Sequence, residues 1–278
     1  MNILKFFKPK PQKVADVSNE PKSASDIFQG QIEAGMAEHK RCSEGLFFSA
    51  LSAGLEVGFT LLLVGVMYTL FKGQVSESAL HVILAFSYPI GFIFVVIGRS
   101  ELFTEHTTLA VIPVLDANAS FKSLLRVWGV IYGGNLLGGY IIGAFISSLG
   151  PAMEIISVEA IHEIAHKLVK YQWYIILGSS ILAGWLMGLL SWLVTSAQET
   201  VSRILIVYII TTLIGMGGLH HSIVGSIEVF ADVLQGGTSF LTYTYFQWWA
   251  TIGNIIGGAI FVSLIKYGTI RFSRKDNS

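Results

Sequence analysis

The sequence predicts an all-α membrane protein of six transmembrane helices, with the second and fifth helices broken in mid-membrane. Three observations predict it. Of 278 residues, 53% are hydrophobic and only 13% charged, where soluble domains keep about a quarter charged. Two apolar regions, Ala79–Leu115 and Val201–Leu234, are overlong and interrupted by polar residues. Finally, short motifs recur between the two halves of the chain.

The elements follow in order. Residues 1–40 are polar and carry Pro and Lys, and they lack the long apolar core of a secretory signal. They read as a cytoplasmic tail, with a helix from about Ala24 running into the first span, and "MNILKFFK" could touch a membrane surface. A helix needs roughly 20 apolar residues to cross the hydrocarbon. Leu46–Phe71, Leu124–Leu149, Trp173–Val194 and Tyr245–Tyr267 meet that requirement. The two longer regions would reach roughly 50 Å as continuous helices. A break inside each, at "GRSELFTEH" and at "GMGGLHHSIVGSIE", resolves the excess. A six-helix transport domain therefore covers 41–268, with a cytoplasmic tail at 269–278. Lys and Arg gather before the first span, after the last, and in the second–third and fourth–fifth connections, through Lys122, Arg126 and Arg203. The other side has only Lys72, Lys167 and Lys170. The excess marks the cytoplasmic side, so both termini lie inside.

"GNLLGG" (Gly134–Gly139) returns as "GNIIGG" (Gly253–Gly258), and "AGLEVG" (Ala53–Gly58) is echoed by "AGWLMG" (Ala183–Gly188). A three-span unit used twice must enter the membrane in opposite orientations. The expected architecture is two inverted three-helix repeats, aquaporin-like, with a transport pathway at the repeat interface. The glycines themselves are explained by close helix packing.

Ionisable groups at membrane depth mark pathways more often than packing. The first break brings Arg99, Glu101, Glu105 and His106; the second brings His220 and His221. Thr104 and Ser222 are suitable hydrogen-bond partners for the imidazoles, and a Thr104–histidine bond across the two loops is the specific expectation. Arg99 is expected to pair with Glu101 or Glu105. Half-helices that start at the breaks would aim their positive ends at the midplane, a mild attraction for anions.

"FSYPIGFIFVVIGRSELFT", "LHHSI" and "TIGNIIGGAIFV" together resemble the motifs of the formate/nitrite transporter family, over about Leu46 to Lys266. The resemblance implies a pentamer of pores in the plasma (inner) membrane of a bacterial-type cell. Its partners would be small monovalent anions with protons, and the lipid bilayer, with no nucleic acid and no cofactor. It places His221 as the central pore histidine and Thr104 as its partner, Leu102 and Phe103 in the loop, and Phe92 and Ile214 at apolar constrictions. His220 joins the pore set, Asn135 and Asn254 match the repeat asparagines, and Lys167 or Lys170 the outer vestibule lysine. Three departures mark a divergent branch: Arg99 replaces a small residue, Glu105 follows the Leu-Phe-Thr, and His220 replaces a glutamate. A fourth is Gly184, in place of a fourth-span asparagine.

A zinc-peptidase reading competes with the transporter one. "HEIAH", His162–His166, matches the zinc-peptidase pattern H-E-x-x-H. It lies in an amphipathic outer connection with no third ligand at a familiar spacing, so it reads as a surface helix. Neither catalysis nor a metal is expected.

Overall fold

The computed structural model describes residues 21–269, and every regular element among them is helical. The expectations for the extreme termini, "MNILKFFK" included, lie outside the described residues. In chain order the helices are α1 (Ala24–Lys40), α2 (Ser43–Val57), α3 (Phe59–Phe71), α4 (Glu77–Ser87), α5 (Ile90–Gly98), α6 (Phe103–Leu109) and α7 (Ile112–Leu115). Then come α8 (Phe121–Ala152), α9 (Val158–Val169), α10 (Trp173–Ser196), α11 (Thr200–Met216), α12 (Val224–Leu234) and α13 (Phe240–Ile255). The last runs on into a π-helical stretch, Ile256–Leu264.

Among the described residues, five helices are long and apolar enough to cross a membrane: Ser43–Phe71, Glu77–Gly98, Phe121–Ala152, Trp173–Ser196 and Phe240–Thr269. The sixth expected span is not one long helix. It is divided between α11, an apolar helix of 17 residues, and α12 of 11. Large side chains such as Phe48, Leu70, Phe121, Phe145, Leu205 and Trp248 project outward and exposed. A band of that kind suits lipid or another protein surface rather than water.

Small residues set the two closest crossings. α2 meets α8 where a Cβ on Gly54 would overlap the Asn135 carbonyl and one on Gly138 the Leu51 carbonyl. α10 meets α13 and its π-helical continuation in the same way: Gly184 faces the Asn254 carbonyl and Gly257 the Ile181 carbonyl. The recurring sequence motifs are therefore recurring backbone contacts. They also explain the missing asparagine, because position 184 has no room for any side chain.

The amino-terminal region differs from expectation in one respect. α1 does not run into the first span. It ends at Arg41, whose backbone is extended (φ −70°, ψ 143°), and α2 starts separately behind Cys42. A capping box between Ser23 and Asp26 opens α1. The helix then lies across the bundle, with Ile27, Phe28 and Ile32 packed on Ile112 and Trp192. Buried Gln31 donates to the Ser191 carbonyl at 3.1 Å.

Where two backbones touch, a single methyl group decides stability. Gly54→Ala and Gly184→Ala are each expected to cost at least about 1–3 kcal/mol. Gly129→Ala, where an added Cβ meets nothing within 4 Å, should be neutral or slightly stabilising. Thermal midpoints of the detergent-solubilised variants check the contrast.

Candidate functional site

Both breaks fall where the polar residues stand. α5 ends at Gly98 and α6 begins at Phe103; α11 ends at Met216 and α12 begins at Val224. Arg99 closes α5 in the left-handed region (φ 59°), an uncommon state for a residue with a side chain. It lets the Ser100 N–H return to the Val95 carbonyl at 3.1 Å.

Backbone polar groups freed at this depth need partners inside the protein. Two buried asparagines supply them in matched fashion. Asn135 Nδ2 donates to the carbonyls of Ala50 and Glu101, both at 2.8 Å, while its Oδ1 accepts from the Phe103 amide at 2.7 Å. Asn254 Nδ2 donates to the carbonyls of Ser180 (2.8 Å) and His220 (3.1 Å), and its Oδ1 accepts from the Ser222 amide at 2.8 Å. By these contacts Leu102 in the first loop corresponds to His221 in the second. Neither asparagine lines either of the two cavities described below, and every polar atom of each amide is bonded to a neighbouring backbone group.

His221 is buried, and its Nε2 lies 2.8 Å from Thr104 Oγ1, so the expected bond across the two loops is present. Its Nδ1 accepts from the Val224 amide at 3.2 Å. An imidazole that accepts at Nδ1 carries its proton on Nε2, so His221 donates to Thr104 and leaves the threonine hydroxyl hydrogen free. The Phe92 ring stands edge-on to the imidazole, centroids 5.1 Å apart. Ser222 Oγ, by contrast, is buried with no hydrogen-bond partner. Phe103 turns away and packs on Tyr132, centroids 4.9 Å apart.

Cavities approach this layer from two sides. One, of about 110 Å³, is lined by His221 with Ile214, Tyr88, His81, Lys167 and Glu228. The other, of about 440 Å³, is lined by Arg99, Glu101, Glu105, His106 and Arg203, with Glu38 and Ala34 of α1 on its wall. Leu102, Thr104 and Phe92 are fully buried between them. Of the two candidate vestibule lysines, Lys167 lines the smaller cavity, whereas the Lys170 ammonium lies 5.1 Å over the Tyr171 ring.

Two expectations are corrected. Arg99 does not pair with Glu101 or Glu105. Glu101 instead meets Arg41 at 2.9 Å and His106 Nε2 at 3.1 Å, while Arg99 and Glu105 face the larger cavity. The left-handed turn points the Arg99 side chain outward, and Arg41, where the chain turns between α1 and α2, takes its place. His220 belongs to neither cavity lining. Its Nδ1 lies 2.8 Å from Ser179 Oγ and its Nε2 3.0 Å from the Leu168 carbonyl, so the ring anchors the second loop to α9 and α10.

Arg41 and Glu228 were not singled out by the sequence, and His106 was named by its depth but given no partner. Arg41 is 60 positions from Glu101 and gave no local signal. Glu228 stood inside the second polar stretch and could have been found by its depth alone. Glu38, Glu101 and His106 offer ligand atoms within 4.8 Å of one another. The Arg41 guanidinium, bonded to both carboxylates, already holds the place of a cation there. In α9, His162 is bonded to Asp232 of α12. That bond fastens the helix to the bundle.

The formate/nitrite transporter family model matches residues 25–268. This chain belongs to that family. The inner membrane protein YfdC of Escherichia coli is 29% identical over 259 residues, covering 92% of this chain and 82% of its own length. Among solved structures, a chain described as an FNT family ion channel superposes with a TM-score of 0.77 at 21% identity, covering 89% of this chain and 99% of its own. A pentameric formate channel with formate bound gives a TM-score of 0.69 at 20% identity, covering 83% and 98% respectively. The family is one of transporters and channels, not enzymes, and its fold is the one seen here.

Removal of either asparagine strands two carbonyls and one amide in a dry interior, at about 1–3 kcal/mol for each group left unsatisfied. Asn135→Ala and Asn254→Ala should therefore each lower the thermal midpoint by more than any single substitution at Thr104. Differential scanning fluorimetry in detergent checks this order.

Proposed function

We propose that this protein is a membrane channel or transporter for small monovalent anions of weak acids, such as formate or nitrite, that pass as the neutral acid. The observation that carries the reading is the His221–Thr104 pair, placed between two cavities and sealed by Phe92 and Leu102. The protomer would have six spans in two inverted repeats, with α4–α7 and α11–α12 as the broken members and both termini cytoplasmic. The paired asparagine brackets and glycine crossings support that repeat. The family and the pentameric relative support an assembly of such protomers in a plasma membrane.

An unpaired anion between apolar walls carries a large desolvation cost, whereas its conjugate acid carries little. Lys167 would raise the anion concentration in the smaller cavity, and Ile214 and Phe92 would exclude the hydrated ion. At the narrow layer the free Thr104 hydroxyl hydrogen is available to a passing oxygen, while His221, the titratable side chain in contact with it, would set the proton balance. Phe103, Asn135, Asn254 and His220 would keep the loops in place. Residues 41–268 would be the transport domain, and α1, over the larger cavity, would cover its cytoplasmic side.

Uptake into proteoliposomes of formate, nitrite, acetate, lactate and hydrosulfide, at two external pH values, tests the substrate class. Uptake of a carried anion should rise as pH falls, because the neutral fraction rises. His221→Asn and His221→Phe should change that dependence, and an unchanged profile in both removes His221 from proton handling. Lys167→Ala should raise the half-saturating anion concentration by about tenfold, while Lys170→Ala leaves it near the native value. Equal effects at the two lysines would remove Lys167 from the vestibule role.

A further inference from the structure

Glu228 has no part in the mechanism above, yet it lies on its path. Its side chain is 5% exposed, and it lines the same cavity as His221. The two are seven positions apart, with Gly225 between them also on the lining. Gly225 and Glu228 lie one turn apart on the same face of α12, and His221 stands in the loop just before that helix. No described residue forms a hydrogen bond or ion pair with the Glu228 carboxyl. The titratable groups that share its cavity are His221 from its own segment, Lys167 from α9, and His81 and Tyr88 from α4 and the residue after it. α3 offers Val64 and α11 offers Ile214, while α8 and α13 contribute nothing to the lining.

We infer that Glu228 is the proton donor of the Lys167-side cavity, a carboxylic acid that hands its proton to the anion before the anion meets the narrow layer. The inference rests on the channel reading above, and three arguments carry it. A carboxylate with no cation partner, so enclosed, would bear the full cost of an uncompensated buried charge. It would also repel the anions that Lys167 attracts. A neutral carboxyl instead offers a hydrogen bond to an incoming oxygen, as carboxylic acids kept uncharged in apolar sites do. The imidazole is poorly placed for this first transfer, since Nδ1 is held by the Val224 amide and Nε2 faces Thr104. Among the lining residues, Glu228 is the only carboxyl.

The transfer balances simply. The O–H bond of the Glu228 carboxyl breaks, its electron pair stays on the carboxylate, and the proton bonds an oxygen of the anion. Water that enters the cavity returns a proton to the carboxylate, and the neutral acid moves past Phe92.

Formate uptake by proteoliposomes across external pH from about 5 to 8 tests this, with wild type, Glu228→Gln and Glu228→Asp. The Gln variant keeps the shape and the hydrogen-bond donor but has no proton to give. It should lose about tenfold in uptake near neutral pH and approach wild type at the acid end, where bulk water supplies the acid. The Asp variant should restore part of the neutral-pH rate. A Gln profile that superimposes on wild type, or a uniform loss at every pH, overturns the inference while wild-type flux leaves the channel reading standing. Wild-type liposomes that pass no anion at any pH overturn both. Should Glu228→Gln not assemble, infrared difference spectra of the wild type on addition of formate decide the matter. A change in the protonated-carboxyl C=O band is expected, and its absence overturns the proposal.

Discussion

The two breaks in the helical chain, at 99–102 and 217–223, leave buried backbone donors and acceptors that no helical turn satisfies, and the rest of the architecture answers that demand. An unpaired amide or carbonyl in hydrocarbon costs several kcal/mol. One asparagine amide, with two donor hydrogens and an acceptor oxygen, suits a loop that exposes two carbonyls and one N–H. Asn135 and Asn254 make this match. Each can reach its loop only because the helix carrying it lies unusually close to its partner, and that approach requires glycine at 54, 138, 184 and 257. The glycine stripes, the asparagines and the breaks are one device used twice.

Positions at the loop centres are where the two copies differ. Leu102 and His221 occupy corresponding places, between residues 101 and 103 and between 220 and 222, as the asparagine contacts define them. One loop thus presents an apolar side chain and the other an imidazole. Thr104, two residues beyond Leu102, supplies the hydroxyl that His221 needs. A symmetric pair of leucines would seal the protein, and a symmetric pair of histidines would hold water. The asymmetry yields a barrier with a single polar contact in it.

Much of this was legible in the sequence because the physical demand is severe. Overlong apolar regions with polar interruptions have few solutions in a membrane, and "GNLLGG" with "GNIIGG" named the asparagines before their bonds were visible. A bond from Thr104 to a histidine followed from pairing the two loops at equal depth, and the family resemblance named His221 as that histidine. What escaped was set by direction rather than by type. Nothing local in "GRSELFTEH" says that Arg99 adopts a left-handed turn and points away from Glu101, or that Arg41, 60 residues earlier, replaces it. Adjacent histidines point opposite ways in an irregular loop, so His220 and His221 could not be separated by spacing. The break between α1 and α2 was hidden as well, because Cys42 and Ser43 give no strong stop signal beyond a weak cap.

The same reasoning explains where this chain departs from its family. Arg99 and Glu105 stand along the wall of the larger cavity, beside Glu101 and His106, and that cavity is roomy enough to hold water. Water can satisfy whatever donors or acceptors a substitution brings there, and the helix α1 adds a second wall whose charges can be matched to new ones. Around Thr104, Asn254 and His221 there is no such freedom, since every hydrogen bond is made by a fixed protein atom. Change at one member would leave its partner unsatisfied in a dry site. Of the departures, His220 and Gly184 lie outside both cavity linings and meet fixed protein atoms, whereas new polar side chains are accommodated most readily in the cavities. Arg99 and Glu105 are departures of that kind, and the lone carboxyl of Glu228 in the smaller cavity stands in the same sort of place.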